Sequence, residues 1–222
     1  MSQEQWTQVD RYFGERMIPP DEALDAALRA SDEAGLPAIN VAPNQGKLLQ
    51  LIAEVRGARR ILEVGTLAGY STIWLARALP ADGKLVTLEA DPHHADIARS
   101  NLERAGVAHL VDVRTGPALE TLPKLAAESA EPFDLVFIDA DKENTAEYFQ
   151  WALKLSRAGS VIIVDNVVRK GAVADLSSTD PSVQGIQRFV EVAAAEPRVS
   201  ATSIQTVGGK GYDGFTMAVV TA

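Results

Sequence analysis

Short apolar runs alternate with amphipathic stretches along most of the chain. "RILEVG" (60–65), "KLVTLEA" (84–90), "LVDVRT" (110–115), "FDLVFIDA" (133–140) and "SVIIVDN" (160–166) are rich in branched residues and mostly unbroken in apolarity. Parallel strands covered on both faces have this pattern. Between them the spacing predicts helices over about 70–79, 93–105, 117–128 and 143–157, with stop signals such as "LPADG", "RAG" and "SRAG". Such alternation implies right-handed crossovers and an open, doubly wound α/β sheet. Past residue 166 the rhythm changes. "RKGAVADLSSTDPS" reads as a polar loop, and then Val183, Ile186, Val190 and Ala193 recur at helical spacing. "VSATSIQ" (199–205) and "GFTMAVVT" (214–221) read as strands joined by a glycine-rich turn, an antiparallel pair at one edge. The first 55 residues read as helical, broken by "AGLPAINVAPNQG" (34–46), which is too rich in Pro, Gly and Asn to be helix.

In such a sheet ligands bind beyond the carboxyl ends of the strands, so the polar strand tips carry the candidate chemistry. In "LEVGTLAGYS" (62–71), Gly65 and Gly69 allow a tight turn and Ser71 falls at a helix N-terminus with free N–H groups. Leu67 breaks any G-x-G-x-x-G pattern. Glu63, inside a buried strand, needs polar partners. Glu89 closes its strand where an acid can accept hydrogen bonds from ribose hydroxyls, which points to an adenosine-type ligand. "TGPALETL" (115–122) brings small residues suited to an adenine slot.

Two further tips end in acids. "FDLVFIDADKEN" runs into Asp139, Asp141 and Lys142, and "SVIIVDNVV" into Asp165 and Asn166. One helical crossover separates these tips, so they can be neighbours. Asp139, Asp165 and Asn166 supply three oxygen donors without His or Cys, which suits a hard cation, Mg²⁺ ahead of Zn²⁺. A cation also supplies the partner that buried carboxylates would otherwise lack. Helix N-capping by Asp139 and Asp165 is the alternative reading. His93, His94 and His109 have no ligands at zinc spacing, and Trp6, Trp74 and Trp151 read as packing residues.

Composition narrows the class. With 222 residues, 46% of them hydrophobic, the chain has material for one domain spanning 1–222 with a sizeable core. The opening "MSQEQWTQVDRYFGERM" is polar, without the apolar stretch of a secretory signal, and no apolar run reaches bilayer length. With no cysteine either, the expected setting is cytoplasmic. A net charge of −9 opposes broad contact with nucleic acid or anionic membrane.

"LEVGTLAGYSTIWLA", "LEA", "GPALETL", "FIDADKEN" and "VDNVVRKG" together resemble the cation-dependent class I O-methyltransferases, the group of caffeoyl-CoA and catechol O-methyltransferases with their small bacterial relatives. The similarity runs from about Asn40 to the C-terminus. It implies a seven-stranded Rossmann-like sheet with helices on both faces and the last strand antiparallel. It also implies S-adenosylmethionine as cofactor, with Glu63, Gly65, Ser71 and Asp141 near its methionine part and the turn. Thr66 and Asp139 join these cofactor contacts, Glu89 would hold the ribose, Ala118 would border the adenine, and Val41 would touch it through backbone. Asp139, Asp165 and Asn166 would ligate Mg²⁺ (or Mn²⁺ or Ca²⁺), and Lys142 would be the general base. The expected reaction moves a methyl group to one hydroxyl of a catechol-like small molecule. Residues 1–55 would form a helical cap contributing to the substrate site and a homodimer, and 56–222 the cofactor-binding core. Free catechols, CoA thioesters, and flavonoid or antibiotic precursors all stay open as acceptors.

Two other classes compete. A nicotinamide-dependent oxidoreductase would also use Gly65 and Glu89, but leaves Asp139, Asp165 and Asn166 without a role. A non-catalytic S-adenosylmethionine-binding module need not keep Lys142 or the metal ligands.

Overall fold

The computed structural model describes residues 2–128 and 131–222. Its centre is one seven-stranded sheet: β1 (Arg60–Val64), β2 (Lys84–Glu89), β3 (Val111–Thr115), β4 (Phe133–Ile138), β5 (Ser156–Asp165), β6 (Val199–Gly208) and β7 (Gly211–Val220). Their order is β3-β2-β1-β4-β5-β7-β6. β1 to β5 pair in parallel, while β7 is antiparallel to both β5 and β6. The chain reverses its winding direction between β1 and β4, and the crevice at such a switch point is where open α/β sheets bind ligands.

Strand side chains alternate between two layers, as the pleat requires. Leu62, Val64, Val136, Ile138, Ile162 and Val164 pack on one face, and Ile61, Leu85, Leu135, Phe137, Val161 and Ile163 on the other. Both faces are covered by helices, which is why these strands lack polar alternation. The helices are α1 (Gln3–Met17), α2 (Glu22–Glu33), α3 (Pro43–Arg56), α4 (Tyr70–Arg77), α5 (Pro92–Arg104), α6 (Ala118–Glu128), α7 (Thr145–Lys154) and α8 (Pro181–Ala195). Among the described residues, no helix is long and apolar enough to cross a membrane.

Three boundaries differ from the sequence expectation. α3 begins at Pro43, inside the segment 34–46 expected to be non-helical. Proline is compatible with the first helical turn, where its missing N–H has no intrahelical partner to lose. The helix expected over 143–157 stops at Lys154, and β5 starts at Ser156 rather than 160. "SRAG" is therefore a strand entry: Arg157 N–H donates to Ser160 Oγ (3.0 Å), whose hydroxyl donates to the Phe133 carbonyl (2.6 Å). Finally, the glycine-rich segment before Phe215 is mostly strand. The hairpin pairs Val207 with Tyr212 and Gly208 with Gly211, leaving only Gly209 and Lys210 to turn.

Candidate active site

The carboxyl ends of β1, β2 and β4, with the chain leaving β5, enclose a cavity of about 710 Å³. That lies within the usual range for small-molecule sites. The segment 37–41 before α3 forms another wall. Val41, Gly65, Thr66, Ser71, Glu89, Ala118, Asp139, Asp141, Lys142 and Asn166 all line it. Of the residues given a cofactor, metal or catalytic role from the sequence, Glu63 and Asp165 do not. Both lie beneath the wall and act on residues that do.

Gly65 follows β1 with φ 100°, and a Cβ there would lie 2.0 Å from the Asp139 carbonyl oxygen. Only glycine permits the β1 turn and the β4 tip to approach so closely. Leu67 (φ 49°) also sits in the left-handed region, an unusual place for a side chain of its size. Glu89 holds this turn from the neighbouring strand: Oε2 accepts Thr66 N–H (3.2 Å) and Leu67 N–H (2.8 Å), and Oε1 accepts Asp91 N–H (3.0 Å). Beneath the turn Glu63 is fully buried and accepts hydroxyl protons from Ser71 (2.7 Å), Thr72 (2.5 Å) and Thr87 (2.7 Å). Burial pushes its carboxyl up to about 7 despite these donors. Its direct effect is to fix the start of α4, with Ser71 facing the cavity.

The β4 tip carries the acids. Lys142 Nζ donates to Asp139 Oδ1 at 2.8 Å, and the pair is mostly shielded from solvent. Asp141 points the other way, accepting Tyr148 Oη–H (2.5 Å) and Asn144 Nδ2–H (2.6 Å). Burial first, and then the bond to Asp141 and its charge, hold the Tyr148 hydroxyl above its ordinary value, so it stays a donor. The Lys142–Asn144 helical turn is pressed into place by α8: a Cβ at Gly185 would lie 2.1 Å from the Lys142 carbonyl oxygen. Arg188 donates to the Glu143 carbonyl at 2.7 Å, and Phe149 stacks edge-on against Phe189 with centroids 5.2 Å apart.

At the end of β5, Asp165 Oδ2 accepts Gln45 Nε2–H at 2.7 Å and Oδ1 accepts Asn166 N–H at 2.9 Å. Burial, and then the negative charge of Asp139, push Asp165 up to about 7, while Lys142 opposes the shift. Asn166 has φ 57°, a conformation asparagine tolerates. Neither Asp139 nor Asp165 spends its carboxylate on capping a helix: their acceptors are taken by Lys142, Gln45 and the next backbone amide.

Several site residues lay outside the sequence reading. Gln45, Tyr148 and Gly185 carry no motif; Gly185 inside an amphipathic helix was the one local hint. His94, read from the sequence only as lacking zinc ligands, lines the cavity with Nδ1 3.5 Å from Glu89 Oε1. Lys210 and Tyr212 do not line it: Lys210 donates to the Ala38 carbonyl (3.0 Å) and Tyr212 to Gln205.

A sheet of this order, with acids at the β2, β4 and β5 tips around a glycine turn, meets an independent finding. The profile of the O-methyltransferase family matches residues 20–219. The chain belongs to the O-methyltransferase family. A relative named catechol O-methyltransferase, from Niastella koreensis, is 53% identical over 220 residues, covering 99% of this chain and all of the relative. The crystal structure of an O-methyltransferase from Bacillus cereus in complex with SAH is 60% identical with a TM-score of 0.98, covering 99% of this chain and 100% of that one. O-methyltransferase TomG from Streptomyces achromogenes, involved in tomaymycin synthesis and solved in complex with SAM, is 56% identical, with a TM-score of 0.97 and full coverage of both chains. This O-methyltransferase therefore shares its fold with relatives along its whole length.

Proposed function

We propose that this enzyme transfers the methyl group of S-adenosylmethionine to one hydroxyl of a vicinal dihydroxy aromatic, with a divalent cation at the acceptor side. The observation that carries the reading is the grouping of Asp139, Asp165 and Asn166 beside Lys142, next to the glycine turn. The relatives solved with SAM and SAH, and the relative named catechol O-methyltransferase, support donor and acceptor class respectively.

On the donor side, Glu89 uses about three of its roughly four acceptor positions on backbone amides. The remaining capacity faces the cavity and suits a ribose hydroxyl. Ser71 and Asp141 flank the methionine part, Val41 and Ala118 border the adenine, and Tyr148 with Asn144 orients Asp141.

On the acceptor side the residues fit a hard cation. The proposed donor set is the carboxylates of Asp139 and Asp165 with the amide oxygen of Asn166; among the described residues no group of three or more His, Cys, Asp or Glu could hold a metal ion. Asp165 is buried against the charge of Asp139, and a cation relieves both. Mg²⁺ suits such a set, with Mn²⁺ or Ca²⁺ as alternates. When bound, the cation favours the ionised form of a hydroxyl beside it, as it does for water. Lys142, held 2.8 Å from Asp139, stands beside the same point and would take the hydroxyl proton. Gln45 holds Asp165, and the α8 contact holds Lys142, so both groups are oriented before substrate arrives.

The partner is read as a second copy of this chain. No residue of α1 is buried, and Val9, Tyr12, Phe13 and Met17 are exposed on it, with Leu51 and Val55 exposed on α3. Patches of this kind mark interaction surfaces. The reading is of a cytoplasmic enzyme on small-molecule phenols, since the acidic net charge opposes nucleic acid and anionic membrane. A methyl-transfer screen against polyphenols, with Mg²⁺ and with chelator, tests it. Turnover of vicinal diols that needs the metal supports the reading, and metal-independent turnover removes the cation from it.

A further inference from the structure

We infer that Arg169 is a specificity residue that selects acceptors bearing a carboxylate on the ring or a short arm; this rests on the dihydroxy-aromatic reading above. Arg169 lines the cavity on the wall that carries Asn166. They lie three positions apart in the chain, so their Cα atoms are at most about 11 Å apart. One small aromatic can therefore meet both.

The guanidinium is poorly partnered for its position. Among the described residues its only ionic partner is Asp213, with Nη1 3.9 Å from Oδ2, beyond hydrogen-bond reach. Among the described residues its buried Nε has no hydrogen-bond partner. A guanidinium has five N–H donors, and the Nη donors that Asp213 leaves at 3.9 Å stay open to an acceptor in the cavity. Asp213 spends its other oxygen on the Val168 and Arg169 amides, at 2.9 and 3.0 Å. That fixes Arg169 and Lys170 in left-handed backbone, φ 54° and 56°, so the side chain is aimed by its own loop. Other cavity charges cannot do this work: Lys142 is taken by Asp139, His94 lies against Glu89, and Glu89, Asp141 and Glu143 repel an anion. Planar, forked recognition of a carboxylate is what arginine does best.

The test compares 3,4-dihydroxybenzoate with its methyl ester, which keeps the diol and loses the charge. Wild-type enzyme with S-adenosylmethionine and Mg²⁺ should favour the acid, chiefly through a lower KM. Arg169→Gln should reduce the acid-to-ester ratio of kcat/KM by tenfold or more, and Arg169→Lys should restore part of it. A purely structural arginine would lower both acceptors together and leave the ratio unchanged, which would overturn the inference. So would a wild-type enzyme that turns over the ester as well as the acid, a result needing no variant. If wild type methylates neither acceptor, the dihydroxy-aromatic reading itself falls, and this inference with it.

Discussion

Lys142 Nζ lies 2.8 Å from Asp139 Oδ1, so the amine assigned to proton removal is paired with a residue assigned to the cation. The close approach of Gly185 to the Lys142 carbonyl holds that pairing in place. Lys142→Met should therefore lower kcat by roughly a hundredfold or more, the scale of positioned acid–base catalysis. Acceptor binding should stay nearly intact, because methionine keeps the apolar stem. Steady-state kinetics separate the two, and a variant with wild-type kcat would leave Lys142 as a charge partner only.

Glu89 has two tasks, holding the turn and facing the cavity. Glu89→Ala should weaken binding of S-adenosylmethionine or its demethylated product by roughly 1–3 kcal/mol, the worth of hydrogen bonds to a charged group. It should also lower thermal stability, since the Thr66 and Leu67 amides lose their acceptor. Calorimetric titration measures the first effect, and NAD should not compete. Tight NAD binding that the substitution abolishes would favour the oxidoreductase class.

Glu63 sets a pH dependence of stability. Burial raises its folded value to about 7 from an ordinary 4.5. The folded state thus holds the proton more tightly than the unfolded chain. Its contribution is fully present below about 4.5 and is lost as pH rises through about 7. The loss is on the order of 3 kcal/mol. Glu63→Gln cannot titrate, so the variant's melting temperature should gain on wild type between pH 5 and pH 8. A constant difference across that window would mean Glu63 titrates normally.

Much of the fold was legible before the structure. The unbroken apolarity of "FDLVFIDA" and "SVIIVDN" marked strands covered on both faces, and the acids at their tips lie at the candidate site. Element ends were less legible: "SRAG" has a helix-stop composition, yet Ser160 bonding to the Phe133 carbonyl makes it a strand entry. Gln45 was invisible because its contact with Asp165 spans 120 residues and no periodicity encodes it. His94 was read from its missing zinc partners, whereas its position follows from α5 starting directly beyond Glu89.

The exposed face of α1 predicts self-association. Val9→Glu with Phe13→Glu should shift the particle from dimer to monomer in light scattering, because two charges cannot be buried unpaired at an apolar interface. A monomeric wild-type protein would remove the dimer from the account.

The central claim is that a cation at Asp139, Asp165 and Asn166 holds the acceptor by two oxygens. A hard cation held by these three oxygen donors would have room left for substrate oxygens. A vicinal diol would offer it two oxygens and a lone phenol one, so the phenol would gain less in acidity and orientation. The direct measurement is the initial rate of methyl transfer to caffeate against coumarate, in Mg²⁺ and in EDTA. The account predicts far faster turnover of caffeate, a difference expressed mainly in kcat, and its collapse in chelator. Equal rates for the two acceptors, or full caffeate turnover in EDTA, would contradict it.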